Sequence, residues 1–523
     1  MAEKPKPTLL DTIKAEVGRR AAKARTEKEM FESDFQEAYS FCLPQRIKPG
    51  DSSTTRPSDT SDNFSTIGEE VLTDFASDMA DTFIPEHNNW AGVEVAATVP
   101  QEFETDAKAA AKTDTDTTFA AITASNFHEA GKQGFKDLGI SAVGMAVEDP
   151  GAGQPFRCQV IPIGELLILR GATGEVDFRG WDRNLPAGDI EELFPDLDLP
   201  PKVKTAIANK KFDTKFNVLQ GCYRDRKVKA EVAWVKFTLI DNEACEGSRQ
   251  VGVGSANILV ARWDPDPNFS WGNGPALKTL ADFRENDETA YLKLKGLARN
   301  VDPSWAYDDD QVINLEGGIP NGVAIPRLPG SKIDVLESRH GMDAALYAVD
   351  MVEQRIRRHF YQDGPVQKGK TPPTLGQWMD EALQKQRRLG TPAAPLWQEF
   401  LSEAYMRFRW LLVKRGELQE VIRVGGKEFP VRPINPLKRA ANQEKAIACE
   451  RVLASLGNLF GPETLPQIVD VGETAHNMVK LSDASGVTLH PKEQINATIK
   501  GMQEAAMAQQ AAATAAPLMK GAA

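Results

Sequence analysis

Two helical runs of similar length, separated by a stretch rich in helix breakers, limit what this chain can fold into. The first covers about 275–299 and the second about 338–362. Each is about 25 residues, or roughly 37 Å of helix at the usual rise. In the first run Leu277, Leu280, Tyr291, Leu294 and Ala298 recur on alternating three/four spacings. In the second, Met342, Ala345, Val349, Val352, Ile356 and Phe360 do the same. Narrow apolar stripes at this spacing suit helices packed beside other helices. The intervening segment, about 300–334, is rich in Pro and Gly and reads as an irregular excursion. Two architectures satisfy the pattern: a long two-helix stalk with a compact tip, or two core helices joined by a long loop. Periodicity alone does not identify the packing partner.

Upstream, Thr8 caps an expected helix to about Cys42, with Leu9, Leu10, Ile13 and Val17 early, Phe31, Phe35 and Tyr39 later, and Pro44 as its stop. Residues 47–63 are Ser/Thr/Asp/Pro-rich and read as a loop. Ile67, Val71, Phe75, Met79 and Phe83 recur every fourth residue, an amphipathic helix ended by Pro85. Trp90, Val93 and Val95 form a short strand pattern. A long helix is expected over about 101–131, then a glycine-broken apolar segment over 138–147. The middle third is β-rich. Strands at 165–170 and 175–181 flank Gly171–Gly174 as a hairpin, a short helix follows at 188–194, and further strands lie at 218–224, 231–240 and 258–263. After the second long run, helices are expected at 374–390, 395–416 and 436–460, a hairpin at 421–431, and an Ala/Gln-rich helix at 491–514. The fold class is therefore α+β, mainly helical, with short antiparallel strands.

The chain has 523 residues and a net charge of −12, which argues against a general nucleic-acid coat but leaves room for a local basic ring. Its five cysteines include no C-x-x-C pair, so neither a disulfide framework nor a zinc site is expected. No apolar run reaches the ~18 residues that span a bilayer, and no membrane partner is expected. Gly364–Thr371 matches G-x-x-x-x-G-K-T, with Lys370 and Thr371 in the phosphate-binding places. A working phosphate loop follows a buried strand and opens a helix. Here the preceding residues belong to a charged helix, and Pro372-Pro373 removes N–H donors at once. A helix-ending linker explains the match better. Asp308-Asp309-Asp310 lacks the spaced ligands of a calcium loop, and the histidines are scattered. No metal, cofactor or catalytic residue is expected. Basic clusters occur at 355–359, 385–388 and 407–415. They read either as phosphate-facing surfaces or as helix-end and ion-pair charges.

Several stretches together resemble the portal proteins, the head-to-tail connectors of short-tailed double-stranded DNA bacteriophages. They are Ala38–Pro44, Phe83–Trp90, Arg262-Trp263 with Trp271–Ala276, Arg388–Pro392 with Leu396–Glu399, and Val431–Leu437. Their order and spacing cover most of the chain. The resemblance implies a ring, typically of twelve subunits, around a DNA channel. It implies a wing at 1–263, a first stem helix at 264–299, a clip at 300–335 and a second stem helix at 336–363. A wing return with a channel loop would follow at 364–435, a crown at 436–490, and a C-terminal helix and tail at 491–523.

The implied partners are a terminase large subunit docking at the clip, tail adaptor or nozzle proteins, major capsid and scaffolding proteins, and duplex DNA read without sequence preference. The implied place is the portal vertex of the virion, after synthesis in the host cytoplasm. Candidate channel residues are Lys385, Arg387 and Arg388. Candidate docking residues in the clip are Trp305, Tyr307, Asp308, Asp309 and Asp310. Two alternatives stand beside this: an ATPase using Gly364–Thr371, and another structural protein such as a tail adaptor.

Overall fold

The computed structural model describes residues 9–50, 63–95 except 88, and 104–301 except 152, 196, 226–232, 246 and 253. It further describes 305–308, 324–327, 342–362, 388, 390, 392, 394–433 except 425, 426 and 430, 437–460, 469–482, 490, 494–498 and 501. The chain divides into two compact units, Met1–Pro433 and Ile434–Ala523.

The first unit begins with α1 (Leu9–Glu29), α2 (Glu32–Cys42), α3 (Ile67–Phe83), β1 (Val93–Val95), α4 (Glu104–Ala124) and α5 (Phe127–Ile140). Then come β2 (Ala142–Glu148), β3 (Arg157–Ile161), β4 (Leu166–Arg170), β5 (Val176–Pro186), α6 (Ala187–Leu193), α7 (Pro201–Ala208), β6 (Lys215–Asp225) and β7 (Ala233–Ile240). β8 (Glu243–Ala244), β9 (Gln250–Gly252) and β10 (Ile258–Arg262) lead to α8 (Pro275–Lys278) and α9 (Leu280–Val301). After β11 (Trp305–Asp308), β12 (Ala324–Arg327) and α10 (Met342–His359), a π-helical turn at Trp397–Leu401 opens α11 (Ser402–Arg415). β13 (Ile422–Val424), β14 (Lys427–Phe429) and β15 (Val431–Pro433) close the unit.

The strands form an antiparallel three-stranded sheet ordered β10-β2-β3 and an antiparallel six-stranded sheet running β4-β5-β6-β7-β8, with β9 also on β7. Small antiparallel pairs join β1 to β15 and β13 to β14, so Val431 belongs to a separate strand rather than to the expected hairpin. The expected α+β, mainly helical class is what the chain adopts.

Three expected helices are interrupted, the first of them where the chain changes the surface it buries. The N-terminal helix breaks at Met30-Phe31. α1 turns Ile13, Val17, Ala21 and Ala24 onto the six-stranded sheet, beside Leu167, Phe178 and Phe237. α2 turns Phe35, Ala38, Tyr39 and Cys42 into the main core instead. The break within 101–131 falls at Ser125-Asn126, and α5 then runs through Gly131 to Ile140. Asn126 is the reason: its amide donates to the Cys158 carbonyl (2.9 Å) and accepts from the Cys158 N–H (2.8 Å), completing the edge of β3. Gly139 lets α5 lie flat on α3, since a β-carbon there would come within 2.5 Å of Leu72. The first long run breaks at Thr279, whose hydroxyl donates back to the Pro275 carbonyl at 2.9 Å.

In the second unit, α12 (Leu437–Phe460) packs against α13 (Val471–Ser482). Asp470 caps α13 by accepting from the Glu473 N–H at 2.9 Å, and Asn496 donates to the same carboxylate at 3.0 Å. Residues 494–498 are helical. The remainder of the expected C-terminal helix, apart from position 501, lies outside the described residues.

The π-turn and α11 are fastened to the body by charges at one helical spacing. Glu399 pairs with Arg262, Glu403 pairs with Arg179, and Arg407 donates to the Val147 carbonyl (3.1 Å) and the Gly254 carbonyl (2.9 Å). Burial on its own lowers the Arg179 pKa, but the adjoining Glu403 carboxylate carries it above the ordinary arginine value. Arg409 meets Asp114 at 3.0 Å, both nearly buried.

Two outcomes follow. Glu399→Ala leaves the Arg262 guanidinium buried without a carboxylate and lowers unfolding stability by about 3–5 kcal/mol, whereas Arg262→Met combined with Glu399→Met recovers most of it. Denaturant titration of both variants checks this. Cys42, Cys158, Cys222 and Cys245 are buried and Cys449 is exposed. Burial pushes the Cys158 thiol up to about 12, and those of Cys222 and Cys245 up to about 11. A thiol reagent at neutral pH therefore labels Cys449 rapidly in the native protein and all five cysteines in denaturant.

Candidate functional site

The pair α9 and α10 grows out of an aromatic cluster in the main core. Phe75 on α3 meets Trp263 edge to face at 5.2 Å and Phe360 at 6.1 Å, and Phe283 lies 6.2 Å from Phe360. The approach from β10 into α8 is too tight for side chains. A β-carbon at Gly274 would lie 2.1 Å from the Ile140 carbonyl oxygen, and the Gly274 N–H donates to that same oxygen at 3.0 Å. Ser141 ties the junction from both ends. Its carbonyl accepts from the Trp263 N–H (3.0 Å), and its hydroxyl donates to the Gly272 carbonyl (2.8 Å).

α10 ends in a capping turn in which the Gln362 N–H reaches the Arg357 carbonyl at 2.9 Å. Tyr361 occupies the left-handed position there, at φ 60°, a place that glycine usually fills. It does so with its ring 5.8 Å from that of Trp263.

Within the pair, Arg355 of α10 meets Asp282 of α9 at 2.8 Å and also pairs with Glu285. Val349, Val352, Ile356 and Phe360 are all buried, so the expected stripe of α10 is covered from Val349 onward; the side chains of Met342 and Ala345 lie outside the described ones. The stripe of α9 divides. Leu280 and Phe283 are buried near the base. Farther along, Leu292 is 55%, Leu294 51%, Leu297 46% and Val301 77% exposed. The pair is thus rooted in the core at one end and carries an uncovered apolar face beyond it, a combination of the two architectures that periodicity allowed.

The basic clusters resolve unevenly. Arg355 pairs within the helix pair, and Arg357 meets Glu70 at 2.9 Å. Arg407 and Arg409 are buried, and Arg415 pairs with Asp149. Arg355, Arg357, Arg409 and Arg415 are thus engaged by carboxylates of the same chain. Of the channel candidates, Arg388 is helical and lies beside Tyr361; there burial and Asp264 raise the phenol pKa while Arg388 opposes them. Lys385 and Arg387 lie outside the described residues, as does all of Gly364–Thr371. Trp305, Tyr307 and Asp308 lie on β11, which pairs in parallel with β12, Trp305 opposite Ala324 and Asp308 opposite Arg327. Asp309 and Asp310 lie outside the described residues. Sequence reasoning assigned no role to Glu399 and Glu403. The signal was there, as Glu399, Glu403 and Arg407 share one face of an otherwise apolar helix.

Among the described residues no group of acidic, His and Cys side chains is placed to hold a metal ion. No helix among them is long and apolar enough to cross a membrane. No curated protein matches the sequence. A family model described as bacteriophage head to tail connecting protein matches residues 14–490. That span contains the helices from α2 to α13, the aromatic root and the exposed face of α9. The chain therefore belongs to the bacteriophage head to tail connecting proteins, the portal class of virion structural proteins.

Proposed function

We propose that copies of this chain close into a ring at one capsid vertex and form the channel through which duplex DNA enters and leaves the head. The observation that carries this reading is the apolar face of α9, where Leu294, Leu297 and Val301, spaced three and four residues apart, stay exposed in a single chain. Covering the half of each leucine that is still exposed is worth roughly 1 kcal/mol. The same face on every copy, laid against a different face of the next, generates a closed ring when the rotation per step divides the circle. In this reading α8, α9 and α10 are the stem, β11 and β12 belong to the clip, α11 returns to the wing, and α12 and α13 form the crown.

The chemistry of passage suits weak contact. A chain of net charge −12 repels DNA, so the duplex does not stick. Lys385, Arg387 and Arg388, repeated around the ring, supply a band of sequence-independent phosphate contacts. The clip offers Trp305, Tyr307 and Asp308 with the adjoining Asp309 and Asp310 to the terminase motor, and later to tail adaptors. Capsid and scaffolding proteins meet the wing.

Two experiments test this. Leu294→Glu with Leu297→Glu places two charges in the proposed contact. Its sedimentation mass is expected to fall from that of the ring to that of one 57.4 kDa chain, with the helical circular dichroism unchanged. An unaltered ring would contradict the assignment. Reversal of Lys385, Arg387 and Arg388 to Glu is expected to leave the ring intact and to lower packaged DNA by about tenfold. A full packaging yield would remove these residues from the channel.

A further inference from the structure

One cleft of the first unit has a charge pattern that the channel function does not use. It lies between β7, the segment after β2, α6 and α11, and encloses about 610 Å³. That volume is within the usual range for small-ligand sites. Four cations line it: Lys236 from β7, Arg407 and Lys414 from the same face of α11, and the exposed Arg157 at the start of β3. Trp410 joins them, with the Lys414 ammonium 4.1 Å and the Arg407 guanidinium 4.9 Å from its ring centre.

The cations are poorly neutralised from within. Arg407 is 2% exposed, yet its hydrogen bonds go only to the neutral carbonyls of Val147 and Gly254. Lys236, its side chain 19% exposed, has Glu148 at 3.8 Å, beyond hydrogen-bond reach. Asp149 also lines the cleft, but it is held by Arg415 and by the Gly151 N–H at 2.9 Å. Glu192 lines it from α6, at the exposed rim. Burial holds Lys236 and Lys414 below the ordinary lysine range; Glu148 opposes it at Lys236, and the Arg407 charge adds to it at both. Burial lowers Arg407 to about 10. Like charges facing one cavity repel each other; Asp149 is taken up by Arg415, and Glu148 and the rim Glu192 offset the four cations only in part, which leaves room for an added anion.

We propose that this cleft binds a small oxyanion, the phosphate or carboxylate group of a small molecule, through Lys236, Arg407 and Lys414. The site is separate from the proposed channel and stem contact, and it stands whether or not the ring reading does. Thermal melting of the purified full-length protein tests it. Inorganic phosphate and citrate are titrated separately, with sodium chloride holding the ionic strength constant. A saturable rise in melting temperature of at least about 2 °C is expected. Lys236→Met and Lys414→Met are each expected to abolish that rise while melting within about 2 °C of the wild type in chloride alone. A response to phosphate only, or to citrate only, assigns the class of ligand within the proposal. No saturable rise with either anion overturns it. So does an equal rise in the wild type and both variants.

Discussion

The aromatic root beneath α9 and α10 is the contact on which the rest of the arrangement depends. Phe75, Trp263, Phe283, Phe360 and Tyr361 come from α3, from the end of β10 and from both long helices. Edge-to-face ring pairs of this kind contribute about 0.5–1.5 kcal/mol each beyond their buried area. They also fix where the two helices leave the body. Once both helices depart from one cluster, the apolar residues farther along α9 cannot return to it. Their exposure follows from where the root sits. A family that connects head to tail supplies a reason for the arrangement, since a connector must offer faces to other chains.

The second constraint is ionic. Buried ion pairs rarely exceed apolar packing in net stability, because both partners give up water. They do penalise misplacement. A slip of α11 by one residue would strand Glu399, Glu403 and Arg407 against apolar side chains, leaving Arg262 and Arg179 buried without carboxylates. The segment beginning at the π-turn is thereby set in one register on both sheets. Arg262 is the last residue of β10 and adjoins Trp263, so the same ion pair that seats α11 also seats the aromatic root.

Much of this was legible in the sequence, and what was not has physical causes. The four-residue recurrence from Ile67 to Phe83 gave α3 almost to the residue, because one face of it is uniformly buried. The β4–β5 hairpin was legible from Gly171 and Gly174, and the strand pattern from 218 to 240 became β6 and β7. The interruptions at Met30-Phe31, Ser125-Asn126 and Thr279 were not legible, since no local breaker marks them. They occur where the buried face changes, or where a side chain finds a distant partner, as Asn126 finds Cys158. The charges at Glu399, Glu403 and Arg407 were visible as a pattern, but periodicity does not name partners on strands more than 130 residues away. The basic clusters show the same limit. Arg407 and Arg409 look alike in sequence, yet one meets carbonyls and the other a carboxylate. The family itself was carried by the order of individually weak motifs, and the match over 14–490 spans all of them.

The proposed ring makes one demand above all: another copy must lie against the uncovered face of α9. Averaged electron-microscope images of the purified wild-type protein test that demand directly. The account predicts closed annular particles with a single central opening wide enough for a duplex. A population of separate 57.4 kDa chains at every concentration, with no annulus, would contradict it.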